Sequence, residues 1–187
     1  MAGQTNVIFV DFEYLQKNSP IYANLDSSDI LWIAQVSQDM RMERLLGTSL
    51  YSRLKTDIIN SGTTTGLYKT LIDDYISPSL VYFIVLDAVD FNAIKFTNKG
   101  LLRKSSENSE VATPEELQAY KNKLESFAEY YSQRIVDFLC ANITSFPEYS
   151  NPGSSADTIH PSQKAYTSTI FIPGKNRRRT NFDLPKN

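Results

Sequence analysis

The sequence predicts a mainly α fold, a helical bundle with extended, partly β N- and C-terminal arms. Three observations carry that expectation. Apolar residues recur at three- and four-residue spacing through most of 27–147. One stretch within that span, "SLVYFIVLDAVDFNAI", is apolar on nearly every side, as expected of a helix enclosed by others. The β-prone runs "NVIFV" (Asn6 to Val10) and "AYTSTIFI" (Ala165 to Ile172) fall outside it. The chain therefore divides into an N-terminal extended arm with a short strand (1–26), a helical body (27–147) and a C-terminal extended arm with a β-prone run and a basic end (148–187).

Taken in order, "NVIFV" stands alone after a polar start, so its partner strand is expected far along the chain or in another chain. In "LDSSDILWIAQVSQDMRMERLLG", Ser27 or Ser28 can cap a helix and Gly47 can close it, with Ile30, Ile33, Ala34, Met40 and Leu45 recurring between them. Thr48 or Ser49 starts a second helix running to about Asn60, and "SGTTTG" is a loop by composition. Leu67, Leu71 and Tyr75 share a face at four-residue spacing, and Pro78 suits the first turn of the apolar helix that follows. "KFTNKGLLRKSSENSEVA" holds a turn signal at Asn98 to Gly100 and a serine-rich stretch without a period, which predicts a hairpin-like or mobile excursion.

The last helix is the most clearly marked, with Thr113 as cap, Pro114 at the first helical position and Glu115 and Glu116 in the first turn. Leu117, Tyr120, Leu124, Phe127, Tyr131, Ile135 and Phe138 recur along it, and about 30 residues make a rod of ~45 Å. No helix is expected after Pro147. The roughly 40 residues from Glu148 onward could span up to ~130 Å fully extended.

Composition bounds the function. A chain of 187 residues, 41% apolar, suits one domain with a real core. The last 14 residues carry Lys175, Arg177, Arg178, Arg179 and Lys186 against Asp183, a net of +4; the whole chain is at −2, so the other 173 residues stand at −6. A domain built to bind DNA spreads basic charge over its surface, and here only the arm is basic. Cys140 is the single cysteine, so no internal disulfide forms, and no signal-peptide pattern opens the chain; synthesis in a reducing cytosol is expected. The apolar stretch from Leu80 to Ile94 contains Asp87 and Asp90 and is too short for a bilayer span, so it reads as a core helix.

The sequence offers no catalytic, cofactor-binding or metal-binding set. His160, the only histidine, lies beside Pro161 in the arm, which leaves no nucleophile–base arrangement on a rigid scaffold and no zinc or di-iron ligand cluster. Cys140 is expected to be a small buried residue. Asp87 and Asp90, three apart on one face, could act as an acid/base pair, but a structural ion pair with Arg41, Arg44 or Arg53 outweighs that reading. "SGTTTG" lacks the Lys-Ser/Thr of a phosphate loop, and "NIT" at Asn142 matches a glycosylation acceptor by chance. In the tail, Phe171, Ile172 and Phe182 bracket the arginines, a pattern that suits docking against a neighbour better than solvation.

At "LLGTSLYSRL" (Leu45 to Leu54), "LIDDYISPSLVYFIVLDAV" (Leu71 to Val89), "FTNKG" (Phe96 to Gly100) and "FAEYYSQRIVDFLCANITSFPEY" (Phe127 to Tyr149) the chain resembles head–tail connector proteins of tailed bacteriophages, also called adaptor or ring proteins, and most of all those of crAss-like Bacteroides phages. The resemblance covers about residues 28 to 149. It implies a non-enzymatic virion protein in the neck, made in the host bacterial cytoplasm. Such proteins form a ring of self-copies, usually twelve, below the portal protein, contact neighbouring ring or tail proteins, and pass double-stranded DNA only as cargo, with no cofactor and no membrane. The interface residues this implies lie in the arms: Val7, Ile8, Phe9, Val10, Tyr166, Ile170, Phe171, Ile172, Lys175, Arg177, Arg178, Arg179 and Phe182. The competing reading is a DNA-binding protein that grips phosphates with "KNRRR". That reading requires an affinity that falls steeply with salt and is lost on truncation at Gly174.

Overall fold

A computed structural model describes residues 7–20, 27–97, 100–103 and 113–161. In chain order the elements are α1 (Phe12–Asn18), α2 (Ser27–Leu46), α3 (Thr48–Ser61), α4 (Gly66–Thr70), a π-helical turn (Leu71–Ile76), α5 (Ser77–Ala93), β1 (Ile94–Thr97), β2 (Gly100–Arg103), α6 (Pro114–Ala141), a 3-10 turn (Ile143–Ser145) and α7 (Pro147–Ser150). The fold is mainly helical, as expected. β1 and β2 pair antiparallel, Ile94 with Arg103 through Thr97 with Gly100, so the expected excursion begins as a hairpin.

The enclosed helix is α5. Leu80 and Ile84 are fully buried, with Val81, Phe83, Val85 and Ala88 close to it, and α2 packs on one side of α5 while α6 packs on another. Ile30, Ile33, Met42 and Leu46 from α2, Leu50 and Leu54 from α3 and Ile135 from α6 belong to the same core. Met40, expected inside, is exposed, and Met42 takes the interior place.

The α6 start matches expectation in detail: Thr113 accepts from the Glu116 amide at 3.2 Å while Glu116 returns a bond to the Thr113 amide at 2.9 Å, a reciprocal capping box. Its buried face differs from the expected stripe. Leu124 and Ile135 are buried, but the centre of the face is Ala128, Ser132, Val136 and Leu139. The small residues allow α5 to come close, and Ser79 Oγ meets Ser132 Oγ at 2.9 Å across the crossing. The large aromatic residues sit at the margin, where they stack outward: Phe127 and Tyr131 each lie 5.4 Å from Tyr82, and Phe138 lies 4.2 Å from Tyr75 and 5.8 Å from Phe146. Such ring pairs contribute ~0.5–1.5 kcal/mol each beyond area burial.

The π turn explains how helix continues through Pro78. Proline has no amide hydrogen and its ring crowds the carbonyl four residues back. The Ser77 amide instead bonds Ile72 O, five residues back, which widens the turn just before the proline. Leu71, Ile72 and Ile76 are the buried residues there, so the face expected through Leu67, Leu71 and Tyr75 is rotated, and Leu67 is exposed.

Three expectations about the ends need correction. Phe12–Asn18 is helical rather than extended, because Asp11 caps it by accepting from the Tyr14 amide at 2.6 Å. Val7 to Val10 form no strand; Val7, Phe9 and Val10 are buried in the chain's own core. Helix also returns after Pro147, for one turn, with Tyr149 buried. The β-prone run Ala165 to Ile172 lies outside the described residues.

Candidate functional site

The N-terminal run is held by one side chain. Gln38 on α2 is fully buried; its Oε1 accepts from the Phe9 amide at 2.7 Å and its Nε2 donates to Val7 O at 2.9 Å. Two backbone groups that a partner strand would have satisfied are thus satisfied by an amide 29 and 31 residues away. Ser77 Oγ covers the Phe9 carbonyl at 3.4 Å. Gln38 Nε2 also meets Tyr51 Oη at 3.1 Å, and the Tyr51 hydroxyl donates a short bond to Asp39, which Lys55 approaches at 3.5 Å. Burial tends to raise the Asp39 pKa, but bonds from Tyr51 and Gln35 and the charge of Lys55 outweigh it and hold the carboxyl below its usual range.

The C-terminal segment is fastened at the α2–α3 turn. Gly47 takes φ +78°, which favours glycine, and a Cβ there would stand 2.8 Å from Pro161 Cδ and 3.2 Å from Ile159 O. The Thr48 amide donates to Ile159 O at 3.1 Å, the Ile159 amide donates back to Thr48 Oγ1 at 2.9 Å, and Ser49 Oγ donates to Pro152 O at 2.7 Å. Residues 151–161 thereby form a strap across the turn. Upstream, Glu148 accepts from the Tyr68 hydroxyl at 2.9 Å and lies 4.0 Å from Arg53, while fully buried Phe146 packs edge-on to Tyr68 at 5.1 Å. The part of the expected arm from Glu148 to Pro161 therefore lies against the body. The 26 residues beyond it can span at most ~85 Å.

Of the residues singled out from sequence, Val7, Phe9 and Val10 come together around Gln38 and Ile8 is half-buried beside them. Tyr166, Ile170, Phe171, Ile172, Lys175, Arg177, Arg178, Arg179 and Phe182 lie outside the described residues. Asp87 is 3.8 Å from Arg41 and accepts from Ser37 Oγ at 2.5 Å, the arrangement of a structural ion pair; the Asp90 side chain lies outside the described residues. Cys140 is exposed rather than buried, because the inward positions of α6 are Ile135, Val136 and Leu139. Among the described residues no group of three or more His, Cys, Asp or Glu side chains is placed to hold a metal ion, and no helix is long and apolar enough to cross a membrane.

A family of unknown function (DUF6712) matches residues 42–159. The chain belongs to the DUF6712 family. No curated protein and no solved structure matches it. The DUF6712 span begins late in α2 and ends at Ile159, so it contains Gly47, the whole α5–α6 pair and the residues that Thr48 and Ser49 bind. Gln38 lies before it.

The tyrosines at the C-terminal fastening give the fold a pH response. Burial, then the bond to Glu148, pushes Tyr68 up to about 12; burial, then the neighbouring Cys140, pushes Tyr149 up to about 12. An unfolded tyrosine releases its proton near pH 10, while these two keep theirs. Above pH 10 the unfolded state thus binds fewer protons and is favoured as pH rises. The stability is fully present below pH 10 and falls through about pH 12. A melting series should show Tm falling across that window, and Tyr68→Phe/Tyr149→Phe should flatten the fall; an unchanged slope in the double variant would assign it elsewhere.

Proposed function

We propose that this DUF6712 chain is a structural virion protein, a head–tail connector that forms a ring below the portal, extends the DNA channel and joins the capsid vertex to the tail. The observation that carries the reading is the strap. The chain is fastened to its own helical body as far as Ile159 and Pro161, and the basic, phenylalanine-bracketed end begins just beyond that fixed point. In this reading the body is the ring unit and 162–187 is the reaching element. Lys175, Arg177, Arg178 and Arg179 meet carboxylates of an adjacent protein, and Tyr166, Ile170, Phe171, Ile172 and Phe182 supply apolar contact, with strand addition available to the 165–172 run.

The resemblance in the four quoted stretches supports this role. So does the pairing of Asp87 with Arg41, which employs structurally the carboxylate that an acid/base role would require. A net charge of −6 outside the last 14 residues suits a channel through which DNA slides without sticking. The role is non-catalytic, and its partners are further copies, the portal and neighbouring ring or tail proteins.

Deleting residues 166–187 tests it. The expected result is a body with unchanged helicity by circular dichroism and particles in which head-to-tail joining is reduced or lost. Normal virions from the truncated chain would sink the arm's role.

A further inference from the structure

Two unlike clefts adjoin at Tyr14. The first, about 300 Å³, is aromatic: Tyr14 of α1, Pro78, Val81 and Tyr82 of α5 and Tyr131 and Arg134 of α6 line it. Tyr82 and Tyr131 stack at 5.4 Å, and the Arg134 guanidinium lies over the Tyr131 ring at 5.8 Å. The second, about 470 Å³, shares Tyr14 and holds three carboxylates, Asp11, Asp73 and Asp74. Tyr14 faces both: burial first, then Tyr131 from one cleft and Asp73 and Asp74 from the other, raise its hydroxyl above the usual tyrosine range. The other charges nearby leave this contrast standing. Lys69 pairs with Asp73 at 2.6 Å, so three carboxylates and one ammonium leave −2 at the acidic end. Glu13 and Lys17 pair with each other at 2.6 Å, and Asp137, three residues beyond Arg134, accepts from Gln133 at 2.9 Å.

We propose that the C-terminal end of the free chain docks here on its own body, with Arg177 to Arg179 on the carboxylates, Phe182 in the aromatic cleft and Asp183 on Arg134. The tail carries its groups in the order of the surface. Cations, then a ring, then an acid in 177–183 meet carboxylates, then tyrosines, then an arginine. Lys186, three beyond Asp183, follows as the cation for Asp137, three beyond Arg134. The spacing also agrees. Asp74 and Val81 stand about 10 Å apart along the helix axis, and Arg178 and Phe182 about 13 Å apart on an extended chain. Tyrosine walls suit a phenylalanine ring, since aromatic pairs attract beyond their buried area. The strap fixes where the tail begins. From Pro161 to Arg177 is 16 residues, which reach up to about 55 Å, several times the ~14 Å radius of gyration of a compact body of this size. Tethering makes the docking intramolecular, so it needs no second copy. The contact is independent of the ring reading, and a neighbour that takes the tail must first displace it.

Chymotrypsin cleavage after Phe182 tests it, with each full chain compared against a free peptide of its own 175–187 sequence. In the 21.2 kDa single chain at low salt, cleavage should be about tenfold slower than in the peptide, as for a tail docked roughly nine-tenths of the time. High salt should erase the difference by screening the charges. Asp73→Asn/Asp74→Asn and Arg134→Asp should each bring the rate to that of the peptide. All three positions are exposed, and circular dichroism checks that the variants stay folded. Asp183→Arg alone should also lose the protection, and Arg134→Asp/Asp183→Arg should regain it. Cleavage of the wild-type chain as fast as the peptide overturns the docking, as does a charge-swapped pair that stays unprotected. Protection that appears only in species heavier than 21.2 kDa overturns docking on the chain's own body and assigns the tail to a neighbour.

Discussion

Replacing Gln38 by leucine should lower the unfolding free energy by about 3 kcal/mol, because it strips buried backbone groups of their partners, at ~1–3 kcal/mol for each unsatisfied group. The Phe9 amide and Val7 carbonyl both lose their bonds, and Tyr51 loses one of its contacts. Gln38→Glu separates the two sides of the clamp: its carboxylate still accepts from the Phe9 amide but cannot donate to Val7 O. That variant should fall between wild type and leucine at pH 7 and recover on acidification, when the protonated acid can donate. Chemical denaturation reads all three proteins. A leucine variant within ~0.5 kcal/mol of wild type would place the anchoring of the N-terminal run in its apolar side chains alone.

Gly47→Ala should cost about 2–4 kcal/mol, from a positive φ that alanine disfavours and from a Cβ placed 2.8 Å from Pro161 Cδ. Where the strap yields instead of the fold, the same change appears as faster proteolytic cleavage within 151–161 at nearly unchanged stability. Two comparisons divide the effect. Thr48→Ala removes a side-chain acceptor without touching the turn, and should cost about 1 kcal/mol. Pro161→Ala placed on the Gly47→Ala background relieves the collision with the ring and leaves the backbone term. A Gly47→Ala protein with both wild-type stability and wild-type resistance to protease would mean that the turn carries no strap.

Features whose determinants are adjacent in sequence were legible. Thr113, Pro114 and Glu116 lie within four positions and specify the start of α6; Gly47 marks the end of α2 for the same reason. Asp11 before Phe12, with Glu13 in the first turn, is an equally readable start that the expectation of an extended arm leaves unused. Features set by close approach were not. The α6 stripe drawn through large residues misses Ala128 and Ser132, because the tightest crossing of two helices selects the smallest side chains. The π turn follows from the needs of Pro78 together with burial of Leu71 and Ile76, a five-residue spacing that regular helix periodicity does not contain. At the candidate site, Gln38 reaches back 29 and 31 residues and Gly47 meets a proline 114 positions later, so neither leaves a local mark.

The strap also determines how the body would respond to mechanical load. Tension applied beyond Pro161 enters first at Ile159, where the two bonds to Thr48 resist it, then at Pro152 on Ser49. Next in line are buried Tyr149, Glu148 on Tyr68, and fully buried Phe146; the end of α6 at Ala141 is reached last. Pulling would therefore release slack in stages, a few polar contacts yielding before any core residue moves. The α5–α6 pair would be shielded from force by the segment that lies across the turn.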